Sequence, residues 1–275
     1  MNDRTLLHQY HSHPGRTAAV FDRLWDGEGR TSYEVLADET NALPRSDRLV
    51  DLACGDGFLL ALLAQRGFAN LVGVDRSPEE LAAARTRLGP LAELHCQDAG
   101  ALPLPVGSVD TVVCHMALML FSPVEPALAE IARILKPGAK FIAVLNRPFQ
   151  HPILEIYRRE LTRVTAETGL GPLRLGDPRI FTIDGMSELV RSRPFEGQDL
   201  HVRDFEVGAR LSPSGVWSVL GSMYDAFRLP APAQAILGER LVLGWQSLAD
   251  DTGRLDFRMG MRLLRCRAPA SSGSP

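Results

Sequence analysis

Lysine is nearly missing from this chain: of 30 basic residues only Lys136 and Lys140 are lysines, and the rest are arginines, a bias we ascribe to genome composition. Charge of either sign in excess is missing too. The 30 basic and 33 acidic residues leave a formal net charge of −3, so there is no electrostatic footprint for nucleic acid or for an anionic membrane surface. Cysteine is scarce. Cys54, Cys96, Cys114 and Cys266 lie far apart with no CxxC spacing, which argues against a disulfide framework and a zinc knuckle, and no metal site is expected. No apolar run approaches the roughly 18 residues of a spanning helix. The opening residues, MNDRTLLHQYHSHPG, lack the apolar stretch of a signal peptide. What is present, 275 residues of which 45% are hydrophobic, is enough for a substantial folded core. The expectation is a soluble, cytoplasmic protein, with a tail at 268–275 too small and flexible in composition to pack.

From Asp47 to Asn146 short β-rich runs alternate with helical ones. Strands are predicted at Arg48 to Ala53, Leu71 to Asp75, Leu91 to Gln97, Val109 to His115 and Phe141 to Leu145. Helices are predicted at Phe58 to Gln65, after Ser77-Pro78-Glu79-Glu80, and after Ser122-Pro123-Val124-Glu125, where Lys136-Pro137-Gly138 ends the last. Both serine-led tetrads read as capping boxes. Such alternation implies a doubly wound α/β domain with a mostly parallel sheet covered on both faces. In that architecture ligands sit outside the carboxyl ends of the strands.

Those ends carry the informative residues. Asp51-Leu52-Ala53-Cys54-Gly55-Asp56-Gly57 closes the first strand, and its glycines permit a tight turn and close approach of backbone to a ligand. Asp75 ends the second strand, the place where an acid holds ribose hydroxyls in nucleotide-binding folds. Ser77 is the better cap for the next helix, which would leave Asp75 free. Asp98 ends the third strand, placed to accept from an exocyclic amine such as adenine's. A dinucleotide fingerprint fails, because its third glycine falls on Phe58. Asp51 and Asp56 beside the turn would repel a pyrophosphate and suit a ligand bearing an ammonium and a sulfonium. S-adenosylmethionine fits that description; NAD, FAD and ATP do not.

With these motifs the sequence resembles the class I S-adenosylmethionine-dependent methyltransferases, in particular the small-molecule branch akin to the ubiquinone and menaquinone biosynthesis enzymes. The resemblance rests on Asp51 to Gly57, Val72-Gly73-Val74-Asp75-Arg76-Ser77, Gln97-Asp98-Ala99 with Leu102-Pro103 and Ser108-Val109-Asp110, and Glu130 to Gly138. It covers about a hundred residues and implies a Rossmann-like, seven-stranded, mostly parallel sheet with an antiparallel last strand and helical cap insertions. Its implied cofactor is S-adenosyl-L-methionine, with S-adenosyl-L-homocysteine as product. The implied cofactor residues are Asp51, near the ammonium, with Ala53, Cys54, Gly55 and Gly57 along the methionyl part. Asp75 falls at the ribose, Arg76 along the adenine, Asp98 and Ala99 at its amine, and His115 at the end of the fourth strand. Ala53 departs from the glycine usual there, a change to be tolerated if the backbone angles are ordinary.

The implied organisation is an N-terminal helical cap at 1–46, the α/β core at 47–146, a cap insertion at 147–180, and completion of the sheet at 181–267. An acceptor-side insertion occupies about 211–251. A helix at Asp184 to Ser192 and strands at Leu200 to Val207 and Arg254 to Leu263 belong to that completion. His115 is the first candidate for a general base or acceptor contact, with packing against the cofactor equally open. Tyr10 precedes a helical stretch from Ala18 to Trp25 that would fold over the cofactor, and the His8, His11 and His13 cluster reads as a solvated arm. Trp217, Met223, Tyr224 and Phe227 lie at helical spacing; if they face the cleft, Trp217 and Tyr224 join Met119, Leu120 and Phe121 in walling a flat, apolar acceptor. The partner expected is therefore a small, aromatic or heteroaromatic metabolite, methylated on oxygen, nitrogen or an activated ring carbon, with natural-product biosynthesis as a setting. Two rival readings stay open: a protein of the same fold that binds S-adenosylmethionine without methylating, as a cyclase or sensor, and a nicotinamide oxidoreductase, disfavoured by Phe58 and Asp51.

Overall fold

The computed structural model describes residues 3–191, 195 and 200–269. Three short helices come first, α1 (Asp3–His11), α2 (Arg16–Phe21) and α3 (Ser32–Asp38). The core follows as β1 (Arg48–Leu52), α4 (Phe58–Gln65), β2 (Asn70–Asp75), α5 (Pro78–Leu88), β3 (Ala92–Cys96), β4 (Val109–His115), α6 (Glu125–Ile134) and β5 (Leu135–Asn146). Then come α7 (Pro152–Glu167), α8 (Ile183–Arg191), β6 (His201–Leu211), α9 (Pro213–Leu220), α10 (Tyr224–Phe227), α11 (Ala231–Trp245) and β7 (Leu255–Arg267). The seven strands form one sheet in the order β3-β2-β1-β4-β5-β7-β6, parallel through β5, with β7 antiparallel to both of its neighbours. This is the doubly wound, Rossmann-like sheet that the sequence implied.

Alternation along the strands explains why the sheet is covered twice. Leu49, Val113, Ile142 and Val144 point into one apolar cluster, shared with α4, α7 and α11. Their neighbours Val50, Val112, Phe141, Ala143 and Leu145 point into a second, closed by α6 and α8. Successive strand residues face opposite sides, so both halves of each strand must be apolar, as parallel sheets require.

Several local expectations change. At the start of α5, Ser77 accepts from the Glu80 amide, but the Glu80 carboxylate turns away to Gly15 and His11, so the box is half made. The box before α6 does not form: Val124 is the N-cap, and Glu125 instead pairs with Arg179. A complete box appears where none was expected, with Thr31 accepting from the Glu34 amide and Glu34 accepting from Thr31 N at 2.7 Å. Lys136-Pro137-Gly138 lies inside β5 rather than in a loop, because Leu135 pairs with Val109 before an irregular step in the register. The stretch from Ala18 to Trp25 is not one helix; α2 ends at Phe21 and Trp25 bridges Gly208, so this segment closes the β6 edge. At the other end Ala268 is buried and exchanges backbone hydrogen bonds with Gly138 and Ala139, so the tail does not begin there. Residues 270–275 of that expected tail, and Ser192 of the expected helix, lie outside the described residues.

Candidate active site

At the carboxyl end of β1 the chain must turn sharply to enter α4, and backbone angles decide which residues fit. Gly57 is the N-cap of α4 at φ +77°, and a Cβ there would come within 2.8 Å of Leu88 Cδ1 and 3.2 Å of Ala84 Cβ. Glycine is thus needed twice over, for its left-handed backbone and for the close approach of α5. Gly55 adopts φ +53°, and Ala53 also sits in the left-handed region at φ +59°. The angles at Ala53 are therefore not ordinary, and its methyl group is held under strain rather than merely tolerated. Met116, directly after β4, is strained likewise at φ +55°. Both lie beside one cavity of about 450 Å³ at the carboxyl ends of the strands.

Asp51, Ala53, Cys54, Gly55, Asp75, Arg76, Asp98, Ala99, His115 and Tyr224 all line that cavity, whereas Gly57, Tyr10, Met119 and Trp217 do not. Gly57 acts one step removed, by shaping the turn. Met119 is buried with its carbonyl against Gly176, and Leu120 and Phe121 take the wall in its place. Trp217 lies over Gly221 and Gly238, where its indole fills the space that side chains there would need. Tyr10 is buried against Tyr224 and Phe227, and burial raises its phenol to about 12, so it serves as packing rather than as a catalytic group. Neither α7 nor α11 contributes to the lining; the two late insertions reach the cavity only through Leu175, Gly176 and Tyr224.

The carboxylates differ sharply in their partners. Asp75 is not free: its two oxygens accept from the amides of Gly55 at 2.9 Å and Ser77 at 2.8 Å, clamping the first two strand ends together. Asp56 is paired with Arg87, and its other oxygen accepts from Phe58 N, so its charge is compensated. Asp98 is exposed and accepts from Gly100 N. Asp51 alone of these has a carboxylate with no hydrogen-bond partner among the described residues, although the residue is only 2% exposed and lines the cavity. Burial, with Asp75 and Asp56 nearby, pushes its carboxyl well above the usual range. A buried, unpaired carboxyl facing a cavity is built for a cation that the protein itself does not supply. That is the observation by which the ammonium of S-adenosylmethionine fits this site.

His115 ends the neighbouring strand β4 and is 6% exposed, with Nε2 at 2.9 Å from Ser32 Oγ and its ring stacked on Tyr33 at 3.7 Å between centroids. Its Nδ1 is buried and unpaired. Burial lowers its pKa to about 3, so the imidazole is neutral at all ordinary pH. Two residues escaped sequence reasoning. Glu80, seen only as a helix cap, lines the cavity and accepts from Gly15 N at 3.0 Å. His11 is no solvated arm: Nδ1 lies 3.0 Å from Glu80 Oε1, and Nε2 2.9 Å from the Tyr224 hydroxyl. The only sequence signal for that chain was the histidine cluster itself, since its members are 69 and 213 positions apart.

Comparison with known proteins agrees with this geometry. A methyltransferase-domain family matches residues 50–143. A methyltransferase of Synechocystis sp., itself uncharacterised, is 31% identical over 184 residues, which are 63% of this chain and 82% of that one. The demethylmenaquinone methyltransferase of Thermus thermophilus is 37% identical over 101 residues, 35% of this chain and 46% of the relative. Of this and two other curated relatives the chain spans less than half the length. Among solved structures, the (4+2)-cyclase SpnF superposes with a TM-score of 0.57 at 19% identity, over 98% of this chain and 93% of that one, a likeness of fold. Among the described residues no helix is long and apolar enough to cross a membrane, and no cluster of potential metal ligands occurs. With a glycine turn, an acid at the end of β2 and a buried carboxyl at the end of β1 around one cavity, and a relative matched over most of its length, the chain belongs to the class I S-adenosylmethionine-dependent methyltransferases.

Proposed function

We propose that this protein methylates a small aromatic or heteroaromatic metabolite, of phenol or indole type, on oxygen, nitrogen or an activated ring carbon. S-adenosylmethionine bound at the strand ends supplies an electrophilic methyl group on a sulfonium. The protein's residues bind and orient. Asp51 is the ammonium partner, and its unpaired, buried carboxyl is the observation that carries the reading. The Gly55 turn lets backbone approach the methionyl part, while Asp75, already fixed by two amides, keeps lone pairs for ribose hydroxyls. Arg76 and Asp98, with Ala99, line the same cavity and are assigned to the adenine.

Tyr33, Phe121 and Leu175, which line the cavity, are assigned to the acceptor side, where apolar side chains would exclude water and suit a flat ring. His115 contributes position and a single buried nitrogen. A group whose conjugate acid ionises near pH 3 is a poor proton acceptor near neutrality, so the reading assigns His115 to acceptor contact rather than general base. Its place on this wall predicts that His115→Ala lowers turnover far more than cofactor affinity.

The test is a screen of phenols, indoles and amines with deuterated-methyl S-adenosylmethionine, read by mass spectrometry, alongside calorimetry with S-adenosylhomocysteine. Uptake of the labelled methyl by one class supports the proposal. S-adenosylhomocysteine binding with a product of unchanged mass supports instead the non-methylating reading, which the SpnF-like fold keeps in view. Absence of heat with either cofactor form would sink both.

A further inference from the structure

The charge around the cavity is one-sided. Asp51, Asp56, Asp75, Glu80 and Asp98 line it, against Arg76 as the one guanidinium among the described lining residues and His11, whose ring sits on Glu80. Arg87 offsets Asp56 from outside, and bound S-adenosylmethionine would add one net positive charge. Carboxylates still remain in excess.

Backbone donors offset only part of this. The N-terminus of α6 borders the cavity through Pro126, which has no N–H, and Ala127, but the Glu125 carboxylate stands in the same first turn. The first amide of α4 is already taken by Asp56 Oδ1 at 3.3 Å. The apolar lining includes Leu7, Tyr33, Met116, Leu120, Phe121 and Leu175, none of them cationic. An anion placed against these side chains would lose its hydration, gain no partner from them, and feel the acids of the same cavity.

Resting on the function proposed above, we infer that the acceptor is uncharged or cationic: an apolar-bodied phenol, indole or amine. Acceptors bearing a carboxylate, phosphate or diphosphate are turned away. The selection works by repulsion as much as by fit, a common route to specificity.

The experiment uses the full chain saturated with sinefungin, whose amine carries the charge the sulfonium would carry. Calorimetry then compares 1-naphthol with 1-naphthyl phosphate, and indole with indole-3-carboxylate. The neutral member of each pair is expected to bind at least tenfold more tightly, with the gap narrowing as salt is raised. Leu175→Arg, at a half-buried wall position, is expected to raise affinity for naphthyl phosphate at least tenfold without moving the melting temperature. Equal or tighter binding of the anionic members to the wild type, or no binding of either member, overturns the inference. Failure of sinefungin itself to bind overturns the cofactor reading instead, so the two failures are distinguishable.

Discussion

Asp51 pits stability against binding. Burial with Asp75 and Asp56 nearby keeps its carboxyl protonated in the fold at pH values where the unfolded chain has already ionised it. A carboxyl raised in this way leaves stability intact below the unfolded value of about 4 and costs stability as pH climbs toward the folded one. Asp51→Asn removes the ionisation and keeps the shape. Its melting temperature without ligand should therefore match the wild type near pH 4 and exceed it increasingly toward pH 8, by about 2–4 °C for each ~1 kcal/mol relieved. The same variant should bind S-adenosylhomocysteine at least tenfold more weakly, read by calorimetry at pH 8. A flat difference in melting temperature across that range would remove the buried-carboxyl argument. Ala53 makes a smaller version of the point: Ala53→Gly relieves the φ of +59° but adds freedom to the unfolded chain, so the gain should be under about 1 kcal/mol, with cofactor affinity unchanged. Ala53→Val should lose stability. Asp51, Gly55 and Asp75 were legible because turn chemistry is local, whereas the strain at Ala53 is invisible until the backbone is seen.

At the scale of elements, α1 is held over the cavity by few bonds. His11 joins Glu80 in α5 to Tyr224 in α10, and Gly15 N adds a second bond to Glu80. Losing two such bonds costs about 1–3 kcal/mol. His11→Ala should accordingly raise amide exchange across α1 by roughly ten- to hundredfold, leave β1 to β5 protected, and speed S-adenosylhomocysteine dissociation several-fold in stopped flow. Unchanged exchange in α1 would mean that the buried side chains Leu6, Leu7 and Tyr10 hold the helix alone. The boundaries of α4 and β4 were readable because apolar periodicity and β-branched residues decide them within a few positions. Capping was not. Whether Glu80 reaches back to its own helix or outward to Gly15 depends on a segment 65 positions earlier, and tertiary competition overrides the local motif.

Across the whole molecule, the order of strands in space departs from their order in the chain twice, at the β1–β4 switch and at the last strand. β7, the last strand, lies between β5 and β6, with Lys140 to Asn146 on one side and His201 to Leu211 on the other. The alternating pattern of β6 and β7 announced two strands and an antiparallel pair. It could not announce that the final strand is interior, because each strand's own residues look alike whichever neighbour they meet. The consequence is strong dependence on the C-terminal segment. A chain ending at Arg254 would lack β7, leaving both β5 and β6 with unpaired edges and stripping cover from Phe141, Ile142 and Val144, all buried in the full fold. It should show no cooperative melt, and should aggregate rather than bind S-adenosylhomocysteine. Removal of residues 1–14 is expected to act differently, since α1 closes the cavity without joining the sheet. That shorter protein should melt cooperatively at a lower temperature, keep the circular dichroism of its sheet, and bind S-adenosylhomocysteine more than tenfold more weakly. A cooperative transition in the chain ending at Arg254 would show instead that β1 to β5 fold as a unit without their last partner, and that the two halves of the sheet are separable.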